Sequence, residues 1–239
     1  MGGETLVSLL KRLYRVMDER MDRSLLGSHW QRGKWQIAYR FRRNNRVPAF
    51  EDLIRQPRRR ILVDAVLGFG DFASVLEIGC GRGQNLYLLS KAIPGLSSCG
   101  IDVSGAAIFQ GRRELEARGV CGVRLEVGQG EALTAFENRS VDIVIADAVL
   151  KYVPPQKIND VIREMLRVAR KGIILGTWHF EATDGEEFWL YDEGAWVYDY
   201  RRLLGHYPGL AVSSAPYLDS VWSDARWNRY GVVLTARCE

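Results

Sequence analysis

The chain has 239 residues, of which 47% are hydrophobic and 26% charged, and its formal net charge is +4. This composition is that of an ordinary globular protein with one large core and room for an appendage, and it excludes collagen-like and disordered classes. No apolar run approaches the roughly 18 residues of a membrane span. At the N-terminus, charged residues interrupt the sequence before an apolar region long enough for a secretory signal. We therefore expect a cytoplasmic protein without a membrane partner.

The positions of the cysteines and of the charged residues further limit the classes of protein that the sequence allows. The four cysteines, at positions 80, 99, 121 and 238, form no C-x-x-C pair and have no neighbouring histidine. This spacing argues against a zinc site and a disulfide framework, so we expect no metal. Residues 1–70 hold 15 Lys and Arg against 7 Asp and Glu, while the remainder has a net charge of −4. The chain thus has a basic head and a mildly acidic body.

The first 70 residues are predicted to form a helical, basic arm or lid. Apolar residues at spacings of three and four predict an amphipathic helix over residues 5–26, and an irregular aromatic and basic stretch follows. A second helix begins near Pro57, a favoured first-turn residue, and ends near Gly68. Three arginines, at 58–60, lie in its first turn, where cations are mildly unfavourable, so we expect them to be solvated or paired.

Strand-like runs alternate with helical patterns from residue 71 onward. Apolar runs at 74–79, 98–103, 123–128, 141–147 and 172–178 predict strands, and segments 83–93, 105–119 and 155–170 have helical spacing. A helix near 199–204 and two final strands at 210–218 and 229–237 complete the pattern. Residues 71–239 are therefore predicted to form a doubly wound α/β domain. Its seven-stranded sheet should be mostly parallel, with helices on both faces and an antiparallel strand at one edge.

The stretch VLEIGCGRGQN, residues 75–85, places three glycines at alternate positions directly behind the first strand. Ligands of doubly wound sheets bind beyond the carboxyl ends of the strands, so these glycines are expected to let a ligand approach the backbone. A dinucleotide fingerprint needs glycine where Gln84 stands, which places NAD last among the cofactors. Glu77 at the end of the first strand and Asp102 at the end of the second instead suit a cationic amino-acid end and a ribose. The ligand that this describes is S-adenosylmethionine (SAM).

Four segments resemble, in order, the cofactor motifs of class I SAM-dependent methyltransferases: VLEIGCGRGQN, GIDVS, GQGEAL at 128–133 and DIVIADAVLKYV at 142–153. The resemblance is strong over residues 70–178 and weaker in the tail. It implies that the glycine loop holds the methionine part, the second-strand acid the ribose, and the third loop the adenine, while the segment after the fourth strand covers the cofactor. The residues assigned to the cofactor are Glu77, Gly79, Gly81, Gly83, Asn85, Asp102, Val103, Gln129, Gly130, Glu131 and Asp147.

Four of these assignments have an alternative or a departure. Glu77 is also consistent with a structural role, pairing within the loop. Many members of the family have aspartate where this chain has Gln129, although a neutral amide can also bind an adenine edge. Asp147 is equally consistent with capping the segment that follows its strand. Asp102 has a helix-capping alternative, and its place in the ordered series favours the ribose.

Candidate residues for the acceptor side are identified by their position at the end of a predicted strand or by their aromatic side chains. His179, in GTWHF at the end of a predicted central strand, is a candidate general base, with a purely structural histidine as the alternative. Tyr152 is a second catalytic candidate. An aromatic insert at about 180–200 either contacts the acceptor or forms the core of a small hairpin. The candidate acceptor contacts are Trp178, Trp196 and Tyr200.

The sequence therefore predicts transfer of a methyl group from SAM to oxygen or nitrogen of a small-molecule acceptor, with S-adenosylhomocysteine as the product. Two alternatives stay open: an RNA or protein methyltransferase that uses the basic arm, and a non-catalytic SAM-binding protein. Nucleic acid is the less favoured partner because the positive excess is small and the body is acidic. Neither the acceptor nor the oligomeric state follows from the sequence.

Overall fold

The structure, a computed structural model, describes residues 48–130, 133–181, 188–191, 195–217 and 224–239. The helix expected over residues 5–26, the basic stretch after it and Glu131 lie outside these residues. Helices and strands alternate along most of the described chain. In chain order they are α1 (Phe50–Ile54), α2 (Pro57–Leu67), β1 (Ser74–Ile78), α3 (Gln84–Ala92), β2 (Ser97–Asp102), α4 (Gly105–Glu116), β3 (Val123–Val127), β4 (Val141–Asp147), a 3-10 turn (Leu150–Tyr152), α5 (Pro155–Val168), β5 (Ala169–Trp178), β6 (Phe188–Tyr191), β7 (Ala195–Tyr198), α6 (Tyr200–Gly205), β8 (Leu210–Pro216), α7 (Ala225–Tyr230) and β9 (Gly231–Cys238).

Seven of the strands form one sheet in the order β3-β2-β1-β4-β5-β9-β8. The first five are parallel, whereas β9 pairs antiparallel with both β5 and β8. The predicted doubly wound sheet with antiparallel pairing at one edge is confirmed. Strand order reverses between β1 and β4, so the carboxyl ends of these strands open a crevice at the place where such sheets bind ligands.

Strand β4 shows why the sheet needs cover on both faces. All seven of its residues are buried. Ile143 and Ile145 belong to a hydrophobic cluster with residues of α2, α3 and α4, whereas Val144 and Ala146 belong to a second cluster with residues of α5. Side chains alternate between the faces of a strand, so a continuous apolar run is typical of a central strand covered by helices on both sides.

Two short helices were not among the predicted elements. Helices α1 and α7 have five and six residues, too few for a helical period to show in the sequence. Hairpin β6–β7 forms from the aromatic insert, and a bridge between His179 and Tyr198 connects it to the end of β5. The described part of the insert thus takes the hairpin form that was one of its two interpretations.

The described part of the predicted arm packs on the domain. Leu62 and Val66 of α2 are fully buried in the same cluster as Ile143 of the sheet. The domain boundary at residue 70 stays a prediction, but α2 contributes to the core of the sheet domain. Within the described ranges, every helix is too short or too polar to cross a membrane. No group of three or more His, Cys, Asp or Glu side chains in these ranges is placed to hold a metal ion.

Candidate cofactor and acceptor site

The loop between β1 and α3 turns through left-handed backbone at alternate residues. Gly79, Gly81 and Gly83 have φ angles of 68°, 56° and 79°. Residues with a Cβ are strained in this region. A Cβ on Gly79 would also lie 2.5 Å from the side chain of Val149. The loop therefore presents backbone, without side chains, to the crevice between β1 and β4.

Asp102, at the end of β2, is hydrogen-bonded to this loop. Its Oδ2 accepts from the Gly81 backbone N–H at 2.9 Å, and its Oδ1 accepts from the Ser104 backbone N–H at 2.8 Å. Burial raises the pKa of this carboxyl, and the two N–H donors oppose that rise. Each carboxylate oxygen can accept a further hydrogen bond, so Asp102 is able to bind two ribose hydroxyls as the sequence predicts.

The loop after β3 lies beside the end of β2. The Gly128 backbone N–H donates to the Asp102 backbone oxygen at 3.0 Å, which joins the two loops. Val103, Gln129 and Gly130 are half-buried. Residues predicted to contact ribose and adenine therefore lie on adjacent loops at the carboxyl edge of the sheet.

A buried polar network joins β1, β4 and the first turns of α2 and α3. Asn85 Nδ2 donates to Glu77 Oε1 at 2.6 Å and to Asp147 Oδ2 at 3.1 Å. Arg58 Nη1 donates to Asp147 Oδ2 at 2.5 Å, and Arg59 Nη1 donates to Asn85 Oδ1 at 2.7 Å. The structure thus brings Glu77, Asn85 and Asp147, three of the predicted cofactor residues, into direct contact.

Glu77 and Asp147 each keep one unsatisfied oxygen in this network. Glu77 is only 2% exposed, and burial raises its pKa to about 8; the Asn85 hydrogen bond opposes that rise and the charge of Asp147 adds to it. Glu77 Oε2 and Asp147 Oδ1 are buried and have no hydrogen-bond partner among the described residues. Buried acceptors are normally paired, so both oxygens are suited to donors or cations of a bound ligand.

His179, the candidate base, follows the last residue of β5. Its Nδ1 lies 3.2 Å from the Tyr198 backbone oxygen and 3.2 Å from the Tyr200 backbone nitrogen. Its Nε2 is buried without a hydrogen-bond partner in the described part of the chain. Burial lowers the pKa of the ring, which favours the neutral imidazole. Its role as a base stays a prediction.

The predicted acceptor contacts lie on both sides of the sheet. Trp178 packs edge-to-face on Trp227, with ring centroids 5.8 Å apart, in the cluster that contains α2, α3 and α4. Trp196 and Tyr200 are buried in the opposite cluster, with α5. The three residues therefore do not form one continuous wall, and their contact with an acceptor stays a prediction. Tyr152 is half-buried on the 3-10 turn after β4.

Three charged residues at the site were not singled out from the sequence. Arg58 and Arg59 had a signal, since three successive arginines in a first helical turn were expected to be solvated or paired. Lys151 had a weaker one, a single lysine among apolar residues in AVLKYV. Its Nζ lies 3.9 Å from the ring centroid of Trp178 and 4.7 Å from that of Trp227. Only folding brings these two tryptophans, 49 positions apart in the sequence, to the same lysine.

The fold and this site define a class of protein: a doubly wound α/β domain whose carboxyl sheet edge is suited to a ribose-bearing, cationic ligand. Comparison with known proteins agrees. Residues 75–172 match the model of a family described as "Methyltransferase domain". These residues are therefore similar to a methyltransferase domain, which is consistent with the class I SAM-dependent methyltransferases and with SAM as the cofactor.

Individual relatives match over part of their length. A trans-aconitate 2-methyltransferase of Methylobacterium radiotolerans is 29% identical over 105 residues, which are 44% of this chain and 37% of the relative. The chain spans less than half the length of the curated relatives that it matches.

Two solved structures show the same fold. A magnesium protoporphyrin IX methyltransferase of Synechocystis with bound SAM has 18% identity and a TM-score of 0.60, covering 87% of this chain and 97% of that one. A geranyl diphosphate C-methyltransferase of Streptomyces coelicolor has 17% identity and a TM-score of 0.57, covering 76% and 79%. At these identities the likeness shows the fold alone.

The residues of this chain fit SAM. An ammonium or sulfonium cation is complementary to the unpaired oxygens of Glu77 and Asp147. Asp102 retains acceptor capacity for a ribose, and the glycine loop leaves room beside it. This ligand would therefore be complementary to the buried oxygens that have no hydrogen-bond partner among the described residues.

Proposed function

We propose that the protein transfers the methyl group of SAM to an oxygen or nitrogen atom of a small-molecule acceptor. The observation that carries this proposal is the buried network of Glu77, Asn85 and Asp147 beside the glycine loop, with two acidic oxygens left for a cationic ligand. Bound SAM supplies an electrophilic methyl group on a sulfonium. Glu77 and Asp147 hold the cationic end, Asp102 orients the ribose, and the glycine loop fixes the distance between them.

The acceptor side is proposed to lie at the carboxyl ends of β4 and β5. His179 would take the proton of an acceptor hydroxyl or amine at Nε2. The base role requires the tautomer with a hydrogen on Nδ1, which is donated to the Tyr198 oxygen, so that Nε2 can accept that proton; in the other tautomer Nδ1 accepts from the Tyr200 N–H and Nε2 carries the hydrogen. The lowered pKa favours the neutral ring. Trp178, on the strand residue before His179, would contribute an aromatic surface for the acceptor.

Binding of the cofactor is the first test. We expect calorimetric titration of the purified protein to show one site for SAM and for S-adenosylhomocysteine. Asp102→Ala should weaken both by roughly tenfold to a hundredfold, because hydrogen bonds to a charged group are lost. Asp160→Ala is the matched control, since Asp160 forms exposed ion pairs within α5. Equal loss in both variants, or no binding by the wild-type protein, contradicts the proposed function.

Turnover is the second test. A coupled assay for S-adenosylhomocysteine release, run on a panel of phenols, amines, carboxylic acids and thiols, should identify the acceptor class. His179→Ala should reduce kcat for a hydroxyl or amine acceptor and leave SAM affinity unchanged. Full activity of His179→Ala rejects the base role. Cofactor binding without turnover on any acceptor favours a non-catalytic SAM-binding protein.

A further inference from the structure

Lys151 is a buried amine enclosed by aromatic rings. It lies on the 3-10 turn directly after β4 and is only 6% exposed. Its Nζ lies 3.9 Å from the ring centroid of Trp178, 4.7 Å from that of Trp227 and 5.0 Å from that of Tyr152. We call these four residues the lysine cage. It lies at the same carboxyl edge as the cofactor network, four positions after Asp147.

The two acids that raise the pKa of Lys151, Asp224 and Asp147, are each paired with an arginine. Asp224 is paired with Arg226 at 2.7 Å, and Asp147 is paired with Arg58 at 2.5 Å. No carboxylate and no hydrogen-bond acceptor of the described residues contacts Lys151 Nζ. The indole faces offset part of the cost of burying an ammonium, but they accept no hydrogen bond of ordinary strength. A buried amine in this condition is suited to a negatively charged ligand group.

We propose that Lys151 and its cage bind an anionic group of the methyl acceptor, such as a carboxylate or a phosphate. This inference rests on the proposed function, because it names the chemical class of the acceptor. The ammonium forms the ion pair, while Trp178 and Trp227 exclude water and pack on the part of the acceptor that carries the anion. Arg226, on the helix that supplies Trp227, adds to the positive potential: its guanidinium carbon lies 5.6 Å from the Trp178 ring centroid.

The proposed site should bind anions in a pH-dependent way. The pKa of Lys151 is lowered to about 7, by burial first and then by the charge of Arg226; Arg58 lowers it further, whereas Asp224 and Asp147 raise it. An anion beside the amine favours the ammonium form and raises the pKa again. Anion binding therefore takes up a proton above pH 7, and affinity should fall by about tenfold per pH unit there.

The test uses phenylacetate, its neutral isostere phenylacetamide, and phenyl phosphate. Each is titrated into the protein saturated with S-adenosylhomocysteine, and tryptophan fluorescence reports binding near Trp178 and Trp227. At pH 6.5 at least one anion should bind tenfold or more tightly than phenylacetamide. Preference for phenylacetate or for phenyl phosphate identifies a carboxylate or a phosphate as the recognised group.

Substitutions of Lys151 test whether this amine is the source of the anion preference. Lys151→Met should lose the preference, and Lys151→Arg should keep it without the pH dependence, because arginine stays charged. Lys91→Met is the matched control, since Lys91 also lies over an aromatic ring, that of Tyr87, away from the site. Equal anion affinity in Lys151→Met, or no anion preference in a protein that binds S-adenosylhomocysteine, overturns the inference. Failure to bind S-adenosylhomocysteine refutes the proposed function instead.

Discussion

Replacement of Glu77 by glutamine should stabilise the cofactor-free protein and weaken SAM binding at the same time. Burial raises the Glu77 pKa from 4.5 to about 8, so the folded chain retains this proton at neutral pH while the unfolded chain releases it. Below pH 4.5 both states are protonated and Glu77 costs nothing. As pH rises, stability falls until the folded carboxyl also ionises near pH 8. At pH 7, which is 2.5 units above the unfolded-state pKa of 4.5, the free energy of unfolding is lower by about 3 kcal/mol than at low pH.

Glutamine keeps the side-chain oxygen that accepts from Asn85 and removes the ionisation. For a chain of this size, about 3 kcal/mol corresponds to a rise in Tm of roughly 6 to 12 °C at pH 7. The rise should vanish near pH 4. Thermal unfolding monitored by circular dichroism at several pH values measures it. A pH-independent difference between the two proteins, or a Tm lower than that of the wild type at pH 7, refutes the argument.

The Glu77→Gln substitution, which should stabilise the fold, should have the opposite effect on SAM binding. A cationic ligand favours the ionised carboxylate, so SAM binding to the wild-type protein should release a proton and tighten as pH rises from 6 to 8. Glu77→Gln should bind SAM weakly and without this dependence. Calorimetry in buffers of different ionisation enthalpy measures the released proton. Unchanged SAM affinity in the variant would show that Glu77 does not contact the cationic end.

Two further substitutions test the supports of the site. Arg58→Met leaves Asp147 buried without its closest cation and should lower the free energy of unfolding by about 3 to 5 kcal/mol. Arg60→Met, which removes an exposed ion pair, should lower it by less than about 1 kcal/mol. Urea unfolding compares the two variants, and equal losses would contradict a stabilising buried pair. Gly79→Ala should lose SAM binding because its Cβ meets Val149 and its φ is 68°, and Val149→Ala added to it should restore binding only partly, since the backbone strain remains. Full restoration by the second change would show that space alone requires this glycine.

Local sequence patterns were sufficient to predict the sheet domain and the loops assigned to the cofactor. Strand β4 reads as a buried central strand because all its residues must be covered on both faces. The alternate glycines and the acids at Glu77 and Asp102 point to one edge of the sheet because parallel strands end together. These features depend on residues that are close together in the chain, so they can be predicted from the sequence.

The balance of charge at the site depends on contacts that are distant in sequence. Arg58 reaches Asp147 across 89 positions. The sequence placed three arginines in the first turn of a helix, where they were expected to be solvated or paired, but no local rule states which acid they would contact. The pKa of Glu77 likewise depends on burial under α2 and α3, which is a property of the packed domain and not of the motif.

The sequence by itself determined the order of strands and helices, the class of cofactor and the loops proposed to hold it, because hydrophobic period and glycine spacing act over a few residues. Only the tertiary structure decided that Lys151 lies beside Trp178 and Trp227, and that Glu77 and Asp147 share Asn85 while each keeps an oxygen without a partner among the described residues. The physical reason is desolvation. The energy of a charge depends on what surrounds it in three dimensions, and here those surroundings come from strands and helices far apart along the chain.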